Sequence, residues 1–495
     1  MTGTVVTPDH DEWEARQRAF AERLGGRAIS DLETGTIVVV NSITYPAVEL
    51  AKITAAQFYE ERLLFMLLLL RAPAVRIVYV TSVAVDPAVV DYHLRFLPDP
   101  EDARSRLSMV DLGDPSTGAL SEKLLGRPDV VARVRSLVSD RDDAYMVTFN
   151  VTVAEQALSS ALGIPLYGPA PSLVPLGYKS GSRRVARRAG VRVLDGAEDL
   201  HSMPAVEAAL CALRERRPAA EAGVVKLNNG FSGQGSVMVE LGDGSSSFSL
   251  TAASATFCAA EESWATFGPK VEAEGAIAEE LLRGPGLVSP SVQLRISPAG
   301  SLEVISTHDQ VLGGPGNQVY LGCRFPAHPD YRLAIQEEAV KVGLVLAEEG
   351  VIGPFGIDFL VVPPSGDGSR ESAVVYLLEI NLRIGGTTHP FWMARLATGG
   401  VYDTASGELV AGGRPKSYVA TDNIKSANLV GSSPAKVIEA VDRAGLGFDP
   451  LSATGATLHL LGALPGYGKM GVTCIADSIG EAEDLYRRVG ELLSG

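Results

Sequence analysis

The sequence predicts a multidomain protein: an α/β region with a parallel sheet, an α+β region of antiparallel hairpins and helices, and a small C-terminal α/β region. Three observations predict it. Between about residues 36 and 168, short β-branched runs alternate with helical stretches, the pattern of a parallel sheet with crossover helices. From about 170 to 400, many strands are separated by Pro-, Gly- and Asp-rich reversals, which is how antiparallel hairpins turn. At 495 residues the chain exceeds what one core supports, and its length corresponds to roughly two to four domains. The expected boundaries are 1–168, 169–400 and 401–495.

The first region opens with an acidic, polar stretch that has no apolar signal core. Strands are expected at 35–42, 75–82, 107–112 and 144–150, with a helix over 47–72. That helix ends in the run LLFMLLLL at 63–70. The run is far short of the ~20 residues that span a bilayer, so it reads as a buried helix end. The first strand leads into NSITYP rather than GxGxxG. A dinucleotide phosphate loop is therefore missing, which disfavours an oxidoreductase built on this sheet. In the middle region, 178–193 reads as a basic helix entering a strand, 222–240 as two strands around a Gly-rich loop, and 329–349 as an amphipathic helix. Hairpins are expected over 291–307 and 356–383. The last region starts with the Gly-rich segment 406–417 and ends in a helix over 479–493.

A hydrophobic content of 46% and a charged content of 21% describe an ordinary soluble globular chain. The net charge of −16 argues against nucleic acid and anionic membrane as partners. Cys211, Cys258, Cys323 and Cys474 form no CxxC pair. They fit reduced thiols in a cytoplasm better than disulfides or a zinc site.

The chemistry concentrates near LLEINLRIGG, 377–386. In a strand, Glu379, Asn381 and Arg383 share one face and Leu378, Ile380 and Leu382 the other. If the strand containing Asp358 pairs with this one, Asp358 sits beside Glu379. Two carboxylates and an amide oxygen are hard ligands that suit Mg²⁺ with positions left for phosphate oxygens. Lys226 lies late in an apolar strand, before a loop holding Gly230, Phe231, Ser232, Gly233, Gln234 and Gly235. Such glycines let main-chain N–H groups approach phosphate, although no Walker loop is present. Lys179 stands at a helix start, where a cation is disfavoured unless an anion is near. Arg183, Arg184, Arg187 and Arg188 read as a solvated basic face.

These pieces, in this order, resemble the ATP-grasp carboxylate–amine ligases over residues 170–395. Lys179, Lys226, the flap 229–236, the hinge AEELL at 278–282, Asp358, Glu379 and Asn381 fall where that superfamily keeps its ATP and Mg²⁺ groups. The segments at 306–327, 379–391 and 460–472 look like one subgroup, the pheganomycin-type peptide ligases. The resemblance implies ATP-dependent joining of an amino-acid carboxylate, of guanidino phenylglycine type, to a peptide amine in natural-product biosynthesis. It implies an acyl phosphate intermediate. It assigns adenine to the main chain near Glu280, Leu281 and Leu282. No acid follows the hinge where relatives hold ribose, leaving Glu279, Glu280 or another residue for that task. Arg383, with Arg295 as second choice, is assigned to the γ-phosphate or acyl phosphate. Gly385, Gly386 and Thr387 open a helix whose amides could hold a substrate carboxylate. His308 and Asp309 adjoin a substrate loop, GGPGNQ. Asp309 and Glu379 are both open as base for the amine, and His389 reads as a structural hydrogen-bonder. A ligase for small amino acids or dipeptides and a non-catalytic nucleotide-binding regulator remain alternatives. Dimers are common in the superfamily, so a homodimer is compatible.

Overall fold

A computed structural model of the chain describes residues 10–25, 34–230, 235–242, 250, 254–259, 261–313, 319–362 and 373–494. Its first sheet is parallel and four-stranded, in the order Leu107–Asp111, Ala74–Thr81, Thr34–Val40, Ala144–Thr148. Both faces are covered. Val38, Val40, Val78 and Val80 enter one core, while Ile37, Val39, Ile77 and Tyr79 enter another. That is why these strands read as unbroken apolar runs instead of alternating.

The helix expected over 47–72 is interrupted. An α-turn at Ala47–Leu50 precedes a 3-10 helix, Ala56–Arg71, and Ala55 between them has φ +63°. Leu63, Leu64, Leu67, Leu68, Leu69 and Leu70 of this helix are all buried. It has leucines on every side because its core is shared with the far end of the chain. Ile424, Val441, Leu458, Met470 and Val472 pack in the same cluster. The N- and C-terminal regions thus bury a common surface, and residue 400 is not a packing boundary.

The middle region makes two antiparallel sheets. The smaller runs Gly196–Leu200, Ala276–Glu280, Ala222–Leu227, Ser236–Glu240, Ala255–Phe257, and helix Met203–Arg216 shares its core. The larger has ten strands. Val374–Asn381, Gly353–Val362, Pro290–Ile296, Leu302–Gly313 and Val319–Phe325 are followed by Arg414–Lys425 from the C-terminal region. Strand Lys469–Ala476 pairs with Arg414–Lys425, and Gly455–His459 with Lys469–Ala476. The C-terminal residues therefore extend the same sheet. Among the described residues the four cysteines are free and no helix is long and apolar enough to cross a membrane.

Candidate functional site

A cavity of about 450 Å³ opens where the N-terminal helix, the smaller sheet and the larger sheet meet. Seven basic and three acidic side chains line it. In a chain of net charge −16, this local excess of cations makes the cavity suited to a polyanion.

One end is built on the hairpin Gly353–Val362 and Val374–Asn381. Its register pairs Asp358 with Glu379 and Gly356 with Asn381. A bulge follows, because Phe359 pairs with Leu377 and leaves Leu378 extra. The bulge turns Leu378 toward the cavity along with Glu379. The expected alternation breaks there: Leu377 and Ile380 are the core residues, not Leu378. Gly356 has no Cβ, which would sit 2.7 Å from the Gln293 amide.

The polar atoms at this end converge. The Asn381 amide nitrogen donates to Asp358 Oδ2 at 3.0 Å and to Glu379 Oε1 at 3.1 Å. Gln310 donates to Asp358 Oδ1 at 2.7 Å. Lys179 Nζ lies 3.1 Å from Glu379 Oε2 and donates to the Gly230 carbonyl at 3.2 Å. Arg383 donates to Asn381 Oδ1 at 2.8 Å, with its guanidinium 5.4 Å from the Phe149 ring centroid. Burial and the neighbouring Glu379 push Asp358 above the usual carboxylate range. Burial also opposes ionisation of Glu379, but Lys179, Lys226 and Arg383 outweigh it and hold that carboxyl below the usual carboxylate range. A divalent cation relieves such repulsion between neighbouring carboxylates, and the all-oxygen donor set fits Mg²⁺. For that the Asn381 amide must turn, since its oxygen faces Arg383.

A second layer supports this end. Lys226 Nζ pairs with Glu279 Oε1 at 2.9 Å, and Arg183 Nη1 donates to Glu279 Oε2 at 2.7 Å. Arg183 also donates to Glu198 and to the Leu194 carbonyl. Burial acts to lower the Lys226 pKa, but Glu279 and Glu379 prevail and raise it. Two expectations are corrected here. Arg183 is 1% exposed rather than solvated, unlike Arg184, Arg187 and Arg188, whose ion pairs lie at the surface. The Glu279 carboxylate is held between two cations and cannot serve ribose. Glu280 pairs with Arg217 at 3.4 Å. The N–H groups of Glu280 and Leu281 are bonded to the carbonyls of Asp195 and Ala222, so neither can meet an adenine edge. The hinge Glu279–Leu282 is absent from the cavity lining.

Asn228 was not anticipated. Its Oδ1 accepts from Ser180 N and Oγ at 3.0 and 2.7 Å, and its carbonyl accepts from Lys179 N at 3.2 Å. One residue thus caps helix Lys179–Arg188 and locks Lys179 to the strand of Lys226. The only sequence signal was its place beside Lys226 in KLNNG. Gly230 lines the cavity, and Gly235 has φ +77°, which favours glycine. Phe231, Ser232, Gly233 and Gln234 lie outside the described residues, as do 314–318 of the expected substrate loop.

Three further expectations are corrected. Arg295 shares a strand with Ser291 and Gln293, which face the cavity, but its guanidinium pairs with Glu303 and it does not line the site. His308 is fully buried with Nε2 2.6 Å from Tyr418 Oη, and burial pushes its pKa down to about 3. Asp309 accepts from Tyr331 Oη at 2.7 Å and His328 N at 3.0 Å. His308 is thus closed to a substrate, and both carboxylate oxygens of the half-buried Asp309 are already engaged. Gly385, Gly386 and Thr387 do line the cavity, before helix Thr388–Thr398. The Gly385 N–H is already bonded to Thr388 Oγ1 at 3.0 Å.

The other end comes from distant segments. Arg62 and Tyr59 belong to helix Ala56–Arg71, Asp422 and Lys425 to Arg414–Lys425, and Lys469 opens Lys469–Ala476. Arg62 pairs with Asp422 Oδ2. Asp422 Oδ1 lies 3.1 Å from His389 Nε2 and 2.7 Å from His459 Nε2, and the two nitrogens are 3.1 Å apart. Burial opposes ionisation of Asp422, but Arg62 and then His389 hold its carboxyl well below the usual carboxylate range. Among the described residues this is the one group of three His, Cys or acidic side chains close enough to hold an ion. The Arg62 charge already neutralises its carboxylate. An acid inside the apolar strand SYVATDNIK was the only sequence signal.

Residues 436–489 match the family model described as the PGM1 C-terminal domain. The chain is 31% identical over 468 residues to the L-propargylglycine–L-glutamate ligase of Streptantibioticus cattleyicolor, covering 92% of this chain and 94% of that protein. Among solved structures, the ADP complex of N5-carboxyaminoimidazole ribonucleotide synthetase is 13% identical, with 92% of this chain and 96% of that one covered and a TM-score of 0.52. The biotin carboxylase β-γ-ATP complex of Campylobacter jejuni is 13% identical, with 92% and 90% covered and a TM-score of 0.55. At that identity the two structures show a shared fold.

Proposed function

The chain belongs to the ATP-grasp carboxylate–amine ligases, and on that premise we propose that it joins an amino-acid carboxylate to an amine through an acyl phosphate. The observation that carries this reading is the convergence of Asp358, Glu379 and Asn381 beside Lys179 and Lys226 in a cation-rich cavity.

The physical difficulty is that two anions must meet. A carboxylate attacks the γ-phosphate of ATP, giving acyl phosphate and ADP, and an amine then displaces phosphate. Lys179 and Lys226 would neutralise α- and β-phosphate oxygens. Asp358, Glu379 and Asn381 would hold Mg²⁺, which when bound supplies charge neutralisation to the β- and γ-phosphates. Arg383 would steady the acyl phosphate oxygens, and Phe149 beneath its guanidinium fixes the orientation. Main-chain groups at Gly230 and Gly235 would cover the polyphosphate and keep water from the acyl phosphate.

The acceptor has two readings. The sequence subgroup supports a peptide amine, in natural-product biosynthesis. The relative's name gives two amino acids, propargylglycine and glutamate, which supports a small amino-acid amine. ADP release by purified protein with Mg²⁺, ATP and panels of acids and amines tests both. Release that needs an acid and an amine together, and stops with EDTA, is the expected result. Dependence on peptides selects the first acceptor, and sufficiency of amino acids the second. Release indifferent to any acid or amine would overturn the ligase reading.

A further inference from the structure

Lys425 and Lys469 are direct cross-strand partners, and both line the cavity. Like charges placed opposite each other destabilise a sheet. Lys469 is also 3% exposed. Its Nζ donates to Tyr59 Oη at 2.6 Å and lies 4.7 Å from that ring's centroid. Among the described residues no carboxylate comes within 4.0 Å of the Lys469 ammonium or of Lys425. Arg62 stacks on the same phenol at 4.1 Å and pairs with Asp422. Two cations therefore flank one ring and a third, Lys425, opposes Lys469 across the strands, against one carboxylate, which two histidines also share. A buried ammonium with no anion is costly. The arrangement becomes favourable when a ligand brings the negative charge.

In the ligase reading the polyphosphate is met at the opposite end, by Lys179 and Lys226. We propose that Arg62, Lys425 and Lys469 form a second anion subsite that binds a non-reacting carboxylate of a substrate. This rests on the ligase reading and adds to it a substrate class. At least one substrate carries a carboxylate besides the one activated. Two sources share that chemistry: the α-carboxylate of an amino-acid acceptor, and a second carboxylate on an acidic donor. A guanidino group is repelled at this end.

The experiment is calorimetric titration of the full chain, saturated with Mg²⁺ and a non-hydrolysable ATP analogue, using matched free acids and amides. L-alanine against L-alaninamide and glycylglycine against its amide probe the acceptor. L-glutamate against L-glutamine probes the donor. The expected result is tighter binding of the free acid in one arm, by roughly ten- to hundred-fold, the size of a charge-assisted contact. Lys469→Met and, at an exposed position, Lys425→Ala should each erase that preference while leaving affinity for the ATP analogue unchanged. Equal binding of acid and amide in both arms overturns the proposal, as does a preference that survives both variants. Failure to bind the ATP analogue overturns the ligase reading instead.

Discussion

The two ends of the cavity are built on opposite principles. At the Lys179 end nearly every charge faces a counter-charge: Lys179 meets Glu379, Lys226 meets Glu279, and Arg183 meets Glu279 and Glu198. At the Lys469 end the cations outnumber the acids, and two lysines oppose each other across adjacent strands. A balanced cluster holds its shape by itself and pre-organises groups before a ligand arrives. An unbalanced one is incomplete until the ligand supplies the missing charge. Substitutions at the first end should therefore cost stability or turnover whatever the substrate. Those at the second should act on particular substrates.

The largest effect is expected at Arg183. Arg183→Met leaves Glu279 buried with Lys226 as its one cation, and breaking such a pair typically costs about 3–5 kcal/mol. Arg184→Ala, one residue on, removes an exposed pair with Asp199. Urea unfolding of the two variants checks the contrast. Equal stability would mean that the first end is not internally braced.

Arg383→Ala comes next. Losing one charge that meets the reacting phosphoryl group should lower turnover roughly 10²–10³-fold, about 3–4 kcal/mol, with unfolding unchanged. Steady-state ADP release reads it. A fall in turnover for every substrate pair assigns Arg383 to the first end. A change in one substrate's KM alone would move it to the second.

The first end was legible because its chemistry lies on neighbouring strands. The alternation around Glu379 and Asn381, with Asp358 one hairpin strand away, needs only local pairing to make a site. Its errors were also local. The bulge at Leu378 cannot be seen in alternation, because a bulge is an extra residue and not a change of residue type. Arg183 looked like Arg184 because composition does not say which face of a basic helix is covered. Arg295 followed the periodicity of Ser291 and Gln293, yet its strand runs past the cavity edge, where Glu303 takes the guanidinium. The second end was illegible for a different reason. Tyr59, Arg62, Asp422, Lys425 and Lys469 meet only because the C-terminal strands extend the large sheet and pack on the N-terminal helix. No window of sequence contains that fact.

A smaller effect is expected at Gly471, which faces His459 across the pairing of Gly455–His459 with Lys469–Ala476. A Cβ there would stand 2.0 Å from His459 Nε2. Gly471→Ala must displace the imidazole from Asp422, an overpacking that typically costs about 1–3 kcal/mol. Thermal unfolding should register it, while affinity for MgATP stays as in the parent. Weakened nucleotide binding would show that the two ends are not independent.

The smallest effect concerns pH. Burial, against the attraction of Asp422, brings His389 down to about 4 from its ordinary value near 6.5. The unfolded chain therefore takes up a proton at this residue in a range where the folded chain does not. Stability rises with pH wherever the unfolded state binds more protons. The contribution of His389 is thus complete above about pH 6.5 and is lost as the pH falls toward 4. By pH 5 the loss amounts to about 1–2 kcal/mol. His389→Gln cannot take that proton, so its deficit relative to the parent should shrink by this amount between pH 7 and pH 5 in paired urea titrations. A deficit that grows as the pH falls would mean that the imidazole is charged in the folded protein. The second end would then hold one cation more than Arg62, Lys425 and Lys469 supply, and its need for an anionic ligand would be greater still.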